Sequence, residues 1–239
     1  MREPVKRALA RLGRTTPGKH VVHAATAGDR SSGRFTDASW PPKADAFEDL
    51  AFLFTSSQLN HGVASLRLDE ATLLFGLTRS LGRAKLVELG RFKGGGTFLL
   101  AVAMAPGSEL WSYDLHLETP AGATGEELDR ELASGLDRYG ISGVHLVVAD
   151  TRTAALPSGP LDLVFVDADH SYEGARADFE RWGPLLRPGG HLLFHDAVDE
   201  GMWGTVYPGI QRLVAEIERD DDRFRRAPGA GSIAHFVRS

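Results

Sequence analysis

The segment Val87-Glu88-Leu89-Gly90-Arg91-Phe92-Lys93-Gly94-Gly95-Gly96-Thr97 constrains this chain more than any other. An apolar run ends in an acidic residue and a glycine, a glycine cluster follows, and Phe98–Met104 is apolar again. That order predicts a strand, a tight turn stripped of side chains, and the first turn of a helix. Such a turn lets a small charged cofactor lie against bare backbone. By itself it suits a dinucleotide, a nucleotide or a sulfonium compound. The order G-x-G-x-x-G is absent, because three larger residues separate Gly90 from Gly94. The lysine of a phosphate loop is absent too, since Gly96-Thr97 stands in its place.

From Lys85 onward, strand-like runs at 86–89, 110–115, 144–149, 161–166 and 191–194 alternate with helical stretches at 96–104, 125–139, 172–186 and 208–219. Alternation of this kind predicts an α/β fold, a doubly wound and mostly parallel sheet with helices on both faces. Asp162-Leu163-Val164-Phe165-Val166 has the apolar, β-branched character of a strand buried on both sides. Arg187-Pro188-Gly189-Gly190 reads as a helix stop and a turn, and the tail around Phe224 and Ile233–Val237 reads as two final strands. Residues 1–43 read as an irregular, partly mobile arm, and 44–61 and 69–81 as two helices covering one end of the sheet. The division is therefore 1–82 for the arm and helical cap and 83–239 for the ligand-binding domain.

Composition narrows the partners. The 239 residues are 42% hydrophobic and 25% charged, which fits one globular domain with a small appendage. A formal charge of −5 argues against nucleic-acid binding, which needs a basic face. The absence of cysteine excludes disulfides, thiolate catalysis and Cys-ligated zinc, so a metal site must use His, Asp, Glu or water. No run of 18 apolar residues is present, so no membrane partner is expected. The charged start Met1-Arg2-Glu3-Pro4 lacks a following apolar stretch, which makes a cytoplasmic setting the expectation.

In open sheets of this type ligands bind outside the carboxyl ends of the strands. Those ends carry Glu88 and Gly90, Asp114, Asp150, Asp167 with Asp169, and His195 with Asp196. Five successive strands thus close on an acidic residue, a coincidence that points to an enzyme. Glu88 would repel a pyrophosphate but suits a cation. Asp114 can accept hydrogen bonds from ribose hydroxyls, and Asp150 from an adenine amino group. Glu88 and the glycine spacing together argue against a nicotinamide-linked oxidoreductase.

This layout resembles the class I S-adenosylmethionine-dependent methyltransferases, whose first motif E-x-G-x-x-x-G corresponds to Glu88-Leu89-Gly90-Arg91-Phe92-Lys93-Gly94. The resemblance covers about residues 83–239 and implies a Rossmann-like seven-stranded sheet with a C-terminal antiparallel strand. It places Glu88, Gly90, Gly94, Gly95, Gly96 and Thr97 around the cofactor, S-adenosyl-L-methionine, and Asp114 on its ribose. Asp150 and Thr151 fall near adenine, and Asp167 joins the same set.

Asp167-Ala168-Asp169-His170-Ser171-Tyr172-Glu173-Gly174, followed later by Phe194-His195-Asp196, sharpens this. Neighbouring parallel strands lie about 4.8 Å apart, so these ends converge, and oxygen and imidazole donors at one point suit a divalent ion such as Mg²⁺. The pattern resembles the macrocin-type small-molecule O-methyltransferases, which methylate hydroxyls, often on natural-product sugars. By that resemblance Asp167, His195 and Asp196 hold the metal, and His195 stands where the group has a carboxylate. Asp169 matches the general base, with His170 and His195 as rival bases because imidazole titrates near neutral pH. The implied partner is a small hydroxylated acceptor, a sugar or an aromatic ring, and a homo-oligomer is left open. Substrate recognition is expected from residues 20–80 and from a glycine-flanked lid at 197–208. Two other readings stay open: a metal-free methyltransferase with a His base, and a nucleotide-binding regulatory module without catalysis.

Overall fold

Strand β1 (Lys85–Leu89) lies inside a seven-stranded sheet in the computed structural model, which describes residues 43–54, 63–116, 124–198 and 207–239. The other strands are β2 (Glu109–Asp114), β3 (Val144–Val148), β4 (Leu161–Val166), β5 (Leu186–Phe194), β6 (Phe224–Ala230) and β7 (Ile233–Arg238). Their spatial order is β3-β2-β1-β4-β5-β7-β6. The first five pair in parallel, and β7 pairs antiparallel with both β5 and β6. This is the Rossmann-like architecture that the sequence pattern predicts. Chain direction across the sheet reverses between β1 and β4, where open α/β sheets form a crevice.

The helices are α1 (Leu68–Ser80), α2 (Gly95–Ala103), α3 (Gly125–Arg138), α4 (Tyr172–Trp182) and α5 (Pro208–Asp220). The alternation of strand side chains sorts them into two layers. Leu86, Leu110, Leu163, Phe165 and Leu193 pack with buried residues of α1, α2 and α3 on one face. Val87, Leu89, Val164, Val166 and Phe194 pack with α4 and α5 on the other. Local signals set the starts. Thr124 accepts from Glu127 N at 3.2 Å while the Glu127 carboxylate accepts from Thr124 N at 3.0 Å, a reciprocal cap on α3. Ser171 caps α4 by accepting from Gly174 N at 3.0 Å.

Three boundaries differ from expectation. Within the span 44–61 expected to be helical, the described residues form a short 3-10 turn, Phe47–Leu53. The amides of Val63 and Ala64 both donate to Leu53 O, at 3.0 and 3.1 Å, and tie the end of this turn to the segment before α1. Residues 55–61 of that span lie outside the described residues, as do 1–42 of the arm and 199–206 of the expected lid. Helix α4 stops at Trp182 instead of reaching 186, because Pro184 has no N–H to continue it. Arg187–Gly190 belongs to β5, where it bulges: Leu161 pairs with Leu186 but Leu163 with His191. No helix among the described residues is long and apolar enough to cross a membrane.

Between β3 and β4 the chain runs through turns, and Asp178 of α4 is buried against them at 1% exposure. Burial pushes its carboxyl up to about 6, against a hydrogen bond from Thr151. The unfolded carboxyl ionises near 3.8 and the folded one near 6, so stability is lost as pH rises through that interval and stays lost above it. Asp178→Asn is therefore expected to raise the melting temperature at about pH 8, by up to about 3 kcal/mol of stability. The advantage should vanish below about pH 4, as thermal melts across that range would register.

Candidate active site

Gly90 joins the first strand to the crevice. Its N–H donates to Tyr113 O at 2.9 Å on one side, and on the other Asp167 N donates to Leu89 O at 2.7 Å. Its φ is +89°, and a Cβ there would lie 2.2 Å from Asp167 O, so only glycine fits between the strands. A cavity opens above it, lined by Ser65, Glu88, Gly90, Gly96, Phe165 and Asp167 among others. A Cβ on Gly96 would meet only the Glu88 carboxylate, 2.7 Å from Oε1, so the bareness of Gly96 keeps the cavity floor open. Gly94 precedes α2, and Gly95 abuts the backbone of Val63 and Ala64; both face packing partners.

Glu88 is fully buried in the floor. Its Oε2 accepts from Ser112 Oγ at 2.6 Å and from Thr97 Oγ1. Burial pushes this carboxyl up to about 7, and the two hydroxyls only partly oppose that. Thr97 itself has no exposed surface and stands behind the glycine turn as a partner of Glu88. Asp114 reaches the turn from the β2 end. Its Oδ2 accepts from Arg91 N and Phe92 N, both at 2.9 Å, and its Oδ1 from His116 N at 2.7 Å. Asp150 and Thr151 stand apart from this centre. Asp150 pairs with Arg152 at 2.6 Å, whose hydrogen bonds hold its carboxyl down at about 2. Thr151 O accepts from Trp182 Nε1 at 3.1 Å, which ties that turn to α4.

On the other side of Asp167 the structure gathers Asp167, His170, His195 and Asp196, with one donor atom of each within 4.8 Å of the others. His195 Nδ1 lies 2.9 Å from Asp167 Oδ1, and its Nε2 lies 3.3 Å from Glu70 Oε2. Burial disfavours the imidazolium, but the Asp167 charge and both hydrogen bonds outweigh it and hold His195 well above its ordinary value. His170 Nε2 is 3.3 Å from Asp167 Oδ1 and 3.4 Å from Asp196 Oδ2, and its ring stacks on Tyr207 with centroids 4.3 Å apart. Desolvation opposes charge on His170 as well, yet Asp167 raises it. Asp196 sits at φ 56°, a left-handed conformation that aspartate tolerates better than most residues. Asp196 N donates to Ser232 Oγ at 3.1 Å, which supports that turn. Asp169 does not join the group. It is exposed, accepts from Ser171 N at 2.8 Å and lies against Gly174.

Sequence patterns missed three parts of this centre. Glu70, on α1, is 1% exposed and accepts from Ser232 N at 2.7 Å and Ser232 Oγ at 2.8 Å. Desolvation would raise it, but His195 and these hydrogen bonds bring it down to about 2. Its position resembles any first-turn acidic residue, and only the fold discloses its partner 125 positions on. Ser232, in the β6–β7 turn, gave no signal. Arg91 was read as a spacer within the glycine motif. It is 3% exposed and binds Asp129 of α3 with two hydrogen bonds of 2.7 Å, while Nη1 donates to Ser112 O at 2.6 Å. His116 Nε2 meets the same Asp129 at 2.7 Å. This ion pair clamps the glycine turn to α3. Arg91→Ala leaves Asp129 without its main counter-charge and is expected to cost about 3 kcal/mol in urea unfolding.

Comparison with known proteins bears on the fold that carries this centre. Residues 87–197 match the family model described as a methyltransferase domain. An uncharacterized protein, y4gI, of Sinorhizobium fredii is 32% identical over 131 residues, covering 50% of this chain and 14% of that protein. The catechol O-methyltransferase domain-containing protein 1 of Mus musculus is 30% identical over 131 residues, covering 55% of this chain and 48% of its own length. The chain thus spans less than half the length of the curated relatives it matches. The O-methyltransferase TomG of Streptomyces achromogenes, solved in complex with SAM, superposes with a TM-score of 0.54 at 19% identity, over 73% of this chain and 82% of that one. Residues 87–197 are thus similar to a methyltransferase domain, and the sheet that carries them has the Rossmann-like fold of these solved O-methyltransferases.

Proposed function

We propose that this protein is an S-adenosylmethionine-dependent O-methyltransferase that acts on a hydroxyl of a small molecule with the help of a divalent ion. The observation that carries the reading is that Asp167 forms a wall of two spaces at once: the cavity over Gly90 and Gly96, and the Asp/His cluster at the ends of β4 and β5. When bound, the sulfonium supplies an electrophilic methyl group and a divalent ion lowers the pKa of a neighbouring hydroxyl. The residues fit both. Gly90 allows the two strand ends to touch, Gly96 leaves bare backbone beside Glu88, and the Glu88 carboxyl in the floor would suit a cationic ligand. Two carboxylates and two imidazoles converge from separate strand ends, which suits a divalent ion.

Methyl transfer forms an O–C bond, breaks an S–C bond and frees the hydroxyl proton. Both nitrogens of His195 face carboxylates and His170 faces Asp167 and Asp196, so neither imidazole is the natural acceptor. Asp169 keeps an exposed carboxylate two residues from Asp167, and we assign it the proton. The acceptor class follows from the resemblance of the Asp167–Gly174 segment and His195-Asp196 to sugar O-methyltransferases, with a phenolic ring as the other candidate. One observation favours a metal-free variant of the same chemistry: His195 held positive between Asp167 and Glu70 supplies a fixed charge of its own. Turnover that is indifferent to chelator would select that variant.

Calorimetric titration with S-adenosylmethionine or S-adenosylhomocysteine is expected to show one site, and no binding at millimolar ligand would remove the assignment. Asp169→Asn is expected to lower kcat by about 10²–10⁴-fold with cofactor affinity unchanged. Unchanged kcat with a lower melting temperature would reduce Asp169 to a loop-capping residue.

A further inference from the structure

The four side chains at the β4 and β5 ends do not form an ordinary magnesium site. Magnesium and calcium favour oxygen donors, whereas imidazole suits first-row transition ions. Here half of the converging donors are nitrogen: His170 Nε2 and His195 Nδ1 stand with Asp167 and Asp196. We propose that Asp167, His170, His195 and Asp196 hold a divalent transition-metal ion in preference to Mg²⁺ or Ca²⁺, and that Glu70 orients His195 for it. The proposal deepens the metal-assisted reading given above and rests on it.

Three independent features carry it. The first is His170. Its Nε2 is buried and makes no hydrogen bond among the described residues, although Asp167 Oδ1 and Asp196 Oδ2 lie only 3.3 and 3.4 Å away. A buried ring nitrogen left without a hydrogen bond calls for a partner. Aimed between two carboxylates, it is placed as a fellow ligand. The stacked Tyr207 ring fixes its plane. The second is the pairing of His195 and Glu70. Glu70 Oε2 faces Nε2 and Asp167 faces Nδ1, so an ion that displaced the Nδ1 proton would leave the remaining proton on Nε2, held by Glu70, and the Nδ1 lone pair free for ligation. Carboxylates that hold the remote nitrogen of a ligating imidazole set its tautomer and orientation in this way. Glu70 is itself immobile, fixed by Ser232 N and Oγ and by Arg67 N at 2.7 Å. The third is size. Opposite ligands around an ion with bonds of about 2.1 Å stand about 4.2 Å apart. The observed limit of 4.8 Å lies within a few tenths of an ångström of contraction on each side.

The test uses the full chain after treatment with chelator, and Co²⁺ as the probe. Titration should give one equivalent bound, with visible d–d absorption characteristic of nitrogen and oxygen ligation. About a hundredfold excess of Mg²⁺ should not displace it. Glu70→Gln keeps the shape of the side chain and should weaken Co²⁺ binding about 10–100-fold with the melting temperature preserved. His170→Ala should weaken binding and shift the absorption bands, a change that loss of packing alone would not produce. Displacement of Co²⁺ by equimolar Mg²⁺ would overturn the preference. Wild-type affinity in both variants would overturn the assigned ligands and the role of Glu70. Absence of Co²⁺ binding in a protein that still binds S-adenosylmethionine would overturn the metal site and leave the methyltransferase reading standing. Tight Co²⁺ binding without any cofactor binding would do the reverse.

Discussion

Everything at the carboxyl edge of the sheet hangs on the joint between β1 and β4. Asp167 N donates to Leu89 O, and Gly90 lies flat on Asp167 O with no room for a Cβ. A strand end that carries a glycine turn and a strand end that carries an aspartate are thereby held in contact. Without that contact the cavity over Gly96 and the Asp/His cluster would be separate features. With it, a single carboxylate, that of Asp167, is shared between them. The cores on the two faces of the sheet serve this joint by fixing the two strands in register, Leu89 beside Val166.

The cluster beyond Asp167 is assembled from parts of the chain that are remote in sequence. Glu70 comes from α1, His195 and Asp196 from the end of β5, and Ser232 from the β6–β7 turn. Three carboxylates in so small a volume would repel one another strongly at low dielectric. Two imidazoles between them supply the compensating charge, which explains why His170 and His195 depart upward from ordinary titration while Glu70 and Asp167 depart downward. Asp196 in a left-handed conformation is the cost of directing its carboxylate into the group, and Ser232 offsets that cost through its hydroxyl and carbonyl.

The fold was legible because it is written in periodicities. Alternating apolar runs and helical stretches located all five parallel strands, and the acidic residues that close them lie along one edge of the sheet. Convergence of Asp167, His195 and Asp196 followed from the adjacency of β4 and β5. Details of partnership were not legible, since a side chain chooses its partner only after distant elements meet. Glu70 looked like an ordinary first-turn acid because nothing local marks a carboxylate that will face His195. Asp150 and Asp169 looked equivalent to Asp167, yet the backbone after each strand turns differently, so one meets Arg152 and the other the start of α4. Arg91 was invisible because long charged residues are usually solvated, and this one is buried by its match to Asp129 and the Ser112 carbonyl.

That buried arginine has a kinetic consequence. A glycine-rich turn is the segment of a domain with the most freedom to lose, and a ligand that has to freeze it gives up affinity in doing so. Here the turn is already stapled to α3 by Arg91 and to β2 by the two amides on Asp114. The turn is thus held in place before any guest arrives. Association then resembles a key entering a cut lock more than a loop wrapping around its prey, and residence time is governed by the contacts formed and not by rearrangement of the walls.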